Sequence, residues 1–75
     1  MNAETIREFL NRRPFEPFEV VMSSGERHPV RHPECLILLP SRALIGDPVA
    51  DRAAILSLVH VTELRVLQPQ PSQGQ

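Results

Sequence analysis

The sequence contains no lysine, tryptophan or tyrosine, and it has a single cysteine, Cys35. One cysteine excludes an internal disulfide framework. Without tryptophan and tyrosine, the chain lacks the exposed aromatic platforms on which single-strand nucleic-acid binders usually stack bases. The sequence also has no signal peptide and no long apolar run, which predicts a cytoplasmic protein without a membrane segment.

The positive charge of the chain comes from eight arginines, because lysine is absent. Guanidinium groups are planar and suit bidentate pairing with carboxylates or phosphates, although a biased genome composition would also favour arginine. Nine acidic residues bring the formal net charge to −1 and the pI to about 6.3. This balance predicts no general attraction to polyanions.

The length of 75 residues fits one small domain and is too short for two. A domain of this size buries roughly 60% of the surface that its unfolded chain exposes, so the core is thin. The predicted domain spans residues 1–67. The last segment, Gln68 to Gln75, has no apolar residue to offset the entropy of ordering, which predicts a disordered tail.

The N-terminal segment has the pattern of one amphipathic helix, about Ala3 to Arg12, with Asn2 as its N-cap and apolar residues at helical spacing. Pro14 ends it, because the residue before a proline is pushed out of the helical region. The following stretch, "PFEPFEV", is interpreted as a hinge in which Phe15 clamps the helix and Phe18 begins the core. The alternative is a polyproline recognition motif.

The next segments alternate as β-strands do. Phe18, Val20 and Met22 share one face, Ser24-Gly25 forms a turn, and a return strand of about residues 26–31 completes a hairpin. Pro29 lacks an N–H, which places that return strand at a sheet edge or at a bulge.

Two apolar runs follow, "CLILL" and "ALIG", and both are predicted as buried strands. Residues 46–52 are predicted as a loop from their glycine, proline and aspartate content. Residues 53–59 are ambiguous between helix and strand. The strand is favoured because the following "TELRVL" alternates and would pair with it. The predicted core consists of Ile6, Phe9, Leu10, Phe18, Val20, Val30, Leu36, Leu38, Ile45, Leu56, Leu58, Leu64 and Val66.

Three segments, "PFEPFEV", "SSGERHPVRHPE" and "LVHVTELRVL", together resemble a set of short uncharacterised bacterial proteins. These share PFxPF, a DG- or SG-type turn, V-x-HPE and LxHIT-x-IE, and the similarity covers most of residues 3–67. The resemblance implies an α+β fold: an N-terminal helix packed on a small, strongly bent antiparallel β-barrel of SH3-like or Sm-like type. It also implies a helical turn before the last strand, here near Val59 to Val61. The family implies no activity, and the chain lacks the glycine-rich RNA-contacting segment of true Sm proteins.

Several side chains are capable of binding a metal or of catalysis, but their spacing favours structural roles. His28 and His32 would lie about 13 Å apart on one extended strand, at roughly 3.3 Å per residue. Cys35 is interpreted as a small buried hydrophobe, with a reactive thiol served by His28 or His32 as the alternative, and His60 as a buried hydrogen-bonded histidine. We therefore expect no metal site, no cofactor and no enzyme activity. Whether His28, His32, Cys35 and His60 converge in space is left open.

Two classes of function remain. The first is a protein-interaction module that self-associates, a homodimer being favoured, or docks a protein partner through a sheet edge or an apolar face. Alternate residues of the apolar runs, Ile37, Leu39 and Ile55, would then face outward and need cover. The alternative is an RNA-binding barrel. Its basic residues would be Arg7, Arg12, Arg13, Arg27 and Arg31.

Overall fold

The computed structural model describes residues 1–67. The tail that is predicted to be disordered, Gln68–Gln75, lies outside the described residues. One helix, α1, spans Ala3–Leu10. Six antiparallel strands follow: β1 (Phe18–Met22), β2 (Arg27–Val30), β3 (Leu36–Leu38), β4 (Arg42–Asp47), β5 (Arg52–Ser57) and β6 (Val61–Val66). The α+β class predicted from the sequence is confirmed.

The helix begins as predicted and ends two residues early. The side chain of Asn2 accepts a hydrogen bond from the Thr5 N–H at 3.0 Å and so caps the first turn. At the other end, Asn11 leaves the helical conformation with ψ near 3°. The guanidinium of Arg13 then donates to the carbonyls of Leu10 and Arg12. Those contacts satisfy carbonyls near the helix end. Because the helix ends at Leu10, the predicted extension to Arg12 is wrong.

The first sheet has the strand order β2-β1-β6. Phe18 pairs with Val30 on one side and with Val66 on the other. Gly25 adopts a φ of 95° in the turn between β1 and β2, a conformation that glycine tolerates without cost, and the predicted hairpin is confirmed. Pro29 lies on an outer strand of the sheet, as its missing N–H predicts.

The second sheet has the strand order β3-β4-β5. The strand interpretation of residues 53–59 is therefore confirmed as far as Ser57, and a 3₁₀ turn, Leu58–His60, follows. The predicted pairing of "TELRVL" with the preceding apolar run is wrong, because β5 pairs with β4 while β6 pairs with β1. The 3₁₀ turn passes the chain from one sheet to the other instead of folding it back on itself.

The connection between β4 and β5 is shorter than the predicted loop of residues 46–52. Both strands extend into it, and the register ends with Asp47 opposite Arg52. The Asp47 carboxylate accepts hydrogen bonds from the N–H groups of Val49 and Ala50 and so closes a tight turn. Asp51 follows at a φ of 56°. Side-chain capping of the turn allows the strands to pair where composition alone indicates a loop.

The helix and both sheets share one hydrophobic core. The buried side chains are Ile6, Phe18, Val20, Met22, Val30, Leu36, Ala43, Ile45, Leu56, Leu58 and Val61. Of the predicted core, Phe9, Leu10, Leu38 and Leu64 are partly buried at its border, and Val66 is wrongly included, because it is 40% exposed near the end of β6. Met22, Ala43 and Val61 are buried in the core as well, although they were not among the predicted core residues.

The strand pairing does not show the closed barrel that the resemblance implies. In residues 1–67 the hydrogen-bonded strands form two three-stranded sheets, which come into contact where β2 approaches β4. The helical turn implied by the resemblance is present at Leu58–His60. The barrel itself stays a prediction.

Phe18 is the largest fully buried side chain, and its replacement tests the core directly. The Phe18→Ala variant should lose about 3–5 kcal/mol of unfolding free energy, because it removes buried apolar area and leaves a cavity. Urea denaturation followed by circular dichroism measures the change. Val49→Ala is the control, since Val49 is 76% exposed and should shift the free energy by less than about 0.5 kcal/mol. Equal effects of the two substitutions would contradict this account of the core.

Candidate functional site

The β3-β4-β5 sheet is apolar on both faces. Its inner face carries Leu36, Ala43 and Leu56, which are buried in the core. On the opposite side, which we call the outer face, Ile37 lies opposite Leu44, and Leu44 lies opposite Ile55. These three side chains form one apolar row across the sheet.

The three residues predicted to face outward do so. Ile55 is 70% exposed, Ile37 is 59% exposed, and Leu39, which follows β3, is 43% exposed. The prediction of "CLILL" as a buried strand therefore holds for Leu36 but not for Ile37 and Leu39, which no other element covers in residues 1–67. The exposed side chains of Ile37 and Ile55 belong to one contiguous apolar row, because Leu44 lies between them in the strand register.

A groove of about 900 Å³ lies on the outer face. Its apolar lining includes Cys35, Ile37, Leu44, Ala53 and Ile55, and Gly46 lies opposite Ala53 in the register. A Cβ atom placed on Gly46 would meet no other atom within 4 Å, so the space above it is open. The polar lining consists of His32, Glu34, Asp47, Asp51 and Arg52.

The sheet edges differ in how well they are protected against pairing with another chain. In residues 1–67, β2 carries Pro29 and Arg27 at one edge, and β6 carries charged side chains at another. The β3 edge is three residues long and lies close to α1. The β5 edge has six residues, no proline and no charged side chain after Arg52. It lacks the devices that natural edge strands use against association.

The five arginines of the nucleic-acid alternative are mostly paired with acidic side chains. Arg13 instead donates to main-chain carbonyls near the end of the helix. The four ion pairs are Arg7–Glu4 at 3.3 Å, Arg12–Glu16 at 3.1 Å, Arg27–Glu19 at 3.6 Å and Arg31–Asp47 at 3.3 Å. The guanidinium of Arg12 also lies 4.0 Å from the centre of the Phe9 ring. These contacts give the arginines structural partners within the chain.

Asp47 holds both the turn and one of these ion pairs. Desolvation opposes ionisation of its carboxyl group, but the hydrogen bond from Arg31, those from Ala50 and Val49, and the charge of Arg31 outweigh it. The pKa of Asp47 is lowered as a result. The Asp47 carboxylate therefore binds both the N–H groups of the β4–β5 turn and the guanidinium of Arg31.

The metal-capable side chains do not come together as a site. Within the described part of the chain, no group of three or more histidine, cysteine, aspartate or glutamate residues is placed to hold a metal ion. His28 lies with its Nε2 atom 3.7 Å from a carboxylate oxygen of Glu26, and that nitrogen is buried without a hydrogen-bond partner. Cys35 is half-buried at the groove, and His60, predicted to be buried, is exposed at the end of the 3₁₀ turn. The expected burial of His60 is wrong.

Sequence reasoning identified Ile37, Leu39 and Ile55 but missed the central member of the row, Leu44, and the open space at Gly46. The signal was present in the alternation of "RALIGD", where Ala43 and Ile45 are buried and Leu44 is not. Interpreting "ALIG" simply as a buried strand obscured that signal.

Comparisons of the chain with protein-family models, with curated proteins and with solved structures found no match. The resemblance to short bacterial proteins therefore stays a prediction. Among residues 1–67, no helix is long and apolar enough to cross a membrane.

The lowered pKa of Asp47 makes a prediction about acid stability. A carboxyl group with a lower pKa in the folded chain stabilises the fold above its unfolded pKa, and this contribution is lost as the pH falls through the folded-state value. Wild type should therefore melt at a higher temperature than Asp47→Asn at pH 6, and the difference should shrink as the pH falls below the ordinary aspartate value of 3.8. Thermal melts across this range measure it.

The control for this experiment is Glu8→Gln, a change from carboxylate to amide at an exposed helix position. It should leave the melting temperature close to that of wild type throughout. A difference between wild type and Asp47→Asn that stays constant down to the lowest pH would contradict the assigned role of the carboxylate.

Proposed function

We propose that this chain is a non-enzymatic interaction module that self-associates as a homodimer through the β3-β4-β5 sheet. The observation that carries the proposal is that the apolar row of Ile37, Leu44 and Ile55 ends at the exposed edge strand β5. Large contiguous apolar patches are uncommon on monomeric proteins and usually mark interaction sites. In this proposal the small barrel implied by the resemblance is the scaffold that presents the sheet.

The second copy is the occupant that fits this sheet best. Residues 53–59 include no charged side chain, so two copies can approach there without bringing like charges together. A small domain buries little apolar surface on its own, and a symmetric pair of identical chains increases the buried apolar area. A two-fold axis brings the same patch of both copies together, so a single apolar surface is enough to form the interface.

The chemistry of the groove supports binding rather than catalysis. The floor and the central row are apolar, and Asp47 is held by Arg31 and by the turn. The other titratable side chains of the groove, His32, Glu34, Cys35 and Asp51, include no group of three or more placed to hold a metal ion in residues 1–67. The groove thus resembles a contact surface with a polar rim more than a reaction site.

Charge pairing supports this proposal over the nucleic-acid alternative. Four of the five arginines in question have carboxylate partners within 4 Å, so a phosphate would have to displace an acidic side chain. The acidic partners would also repel a nucleic-acid backbone. The alternative therefore lacks a free cluster of guanidinium groups on which to rest.

A labelled RNA oligonucleotide tests the alternative. We expect binding weaker than about 10 μM at physiological salt, because counterion release from a few phosphate contacts supplies little affinity to a chain of net charge −1. Fluorescence anisotropy at two salt concentrations measures it. A tight, salt-sensitive complex that is lost in Arg12→Ala/Arg13→Ala but kept in Arg42→Ala would instead favour the RNA-binding function.

Light scattering coupled to gel filtration tests the proposed self-association. Wild type at micromolar concentration should have twice the 8.5 kDa mass of one chain. Ile55→Lys should have the mass of one chain, since it places a charge on an exposed position of the interface without touching the core. Val49→Lys, which changes an equally exposed apolar residue in the β4–β5 turn, should leave the dimer intact. A wild-type mass of one chain at every concentration would refute self-association.

A further inference from the structure

We infer that the homodimer forms by antiparallel pairing of β5 with β5 of a second copy, with Ile55 opposite Ile55 at a two-fold axis. This inference rests on the self-association proposed above. It adds which element of the sheet makes the contact, which backbone groups are used and in which register the strands meet.

The direction of the β5 backbone groups follows from one hydrogen bond beyond the end of the strand. The Leu58 N–H donates to the Ser41 carbonyl at 3.0 Å, in the same register as the β4–β5 ladder. Bonded and non-bonded pairs alternate along an antiparallel ladder. The peptide groups of Ala54 and Leu56 therefore point toward β4, and the N–H groups of Ala53, Ile55 and Ser57 point to the opposite edge.

That opposite edge is available. In residues 1–67, β5 has β4 as its strand neighbour and lies at the end of the sheet. Ala53, Ile55 and Ser57 are all exposed. The two small side chains flank the larger one, so another strand can approach the edge closely on either side of Ile55.

The register follows from symmetry. A two-fold axis normal to the sheet makes residues with the same side-chain direction meet, so one residue must face its own copy. With Ile55 at the axis, Ala53 lies opposite the partner's Ser57, and every outward N–H of the strand enters the ladder. With Ala54 at the axis, Ala53 would lie opposite the partner's Ile55, and Ser57 would extend past the pairing.

The Ile55 register also continues the apolar row. Ile37, Leu44 and Ile55 of one copy would be followed directly by Ile55, Leu44 and Ile37 of the other. The β3-β4-β5 sheet of one copy and the same sheet of the other copy would become one six-stranded sheet. The five paired residues of each strand, 53–57, would extend about 17 Å at roughly 3.3 Å each.

Pairing through the β5 edge accounts for a dimer better than contact through the other surfaces of the fold. A face-to-face contact would rest on a narrow row, because Arg42 and Ser57 lie opposite each other on one side of it and Gly46 and Ala53 on the other. Pairing of β5 with the β6 edge of another copy would meet Glu63 and Arg65, and it would not close after two copies.

Disulfide trapping tests the register. In a Cys35→Ser background, Ile55→Cys should form a disulfide-linked dimer under mild oxidation, because the Cα atoms of a bonded antiparallel pair lie about 5.5 Å apart. Val49→Cys, with comparable exposure, should not. An equimolar mixture of Ala53→Cys and Ser57→Cys should form the mixed dimer, and neither should dimerise alone. A product between Ala53→Cys and Ile55→Cys instead would overturn the register.

A matched pair of substitutions tests the backbone contact. Ala53→Pro removes an N–H that points away from β4, so the chain should keep its wild-type circular dichroism while the dimer dissociation constant rises at least about tenfold. Ala53→Ser keeps the N–H and should leave the dissociation constant near that of wild type. Sedimentation velocity measures both.

Two outcomes separate this inference from the proposed function. A monomeric wild type would overturn both. A wild-type dimer that survives Ala53→Pro but dissociates in Ile37→Lys would preserve self-association and overturn edge pairing, because Ile37 lies two strands away from the β5 edge. Under edge pairing, Ile37→Lys keeps the dimer.

Discussion

The burial of Phe18 is the contact on which the rest of the structure depends. Its ring is fully buried, with the ring of Phe9 in α1 at 5.2 Å and that of Phe15 at 6.0 Å between ring centres. Phe15 lies between the helix and β1 and packs near Phe18, which is the first residue of β1. Since β1 lies between β2 and β6, this one contact joins the helix to the whole sheet.

That arrangement leaves the second sheet with less cover than its composition requires. One eight-residue helix packs on the core, and the outer face of β3-β4-β5 has no element over it in residues 1–67. The hydrogen bonds of Asp47 extend β4 and β5 to a tight turn, which makes β5 a six-residue edge beside an apolar groove. Turn chemistry and limited chain length therefore create the surface to which we assign the function.

The local features of this fold could be predicted from the sequence, because each depends on residues close together in the chain. Asn2 caps the helix, Gly25 accepts the positive φ of the hairpin turn, and the alternation of Phe18, Val20 and Met22 sets the buried face of β1. The outward direction of Ile37 and Ile55 also follows from alternation with their buried neighbours.

What depends on distant contacts was decided by the tertiary structure. The pairing of β6 with β1 joins segments about forty residues apart, and alternation within "TELRVL" fits several partners equally well. The partners of the arginines and the alignment of Leu44 between Ile37 and Ile55 likewise depend on strand register. Side-chain periodicity determines which face of a strand is apolar, but the partner of each strand is selected by how all the apolar faces can be buried together.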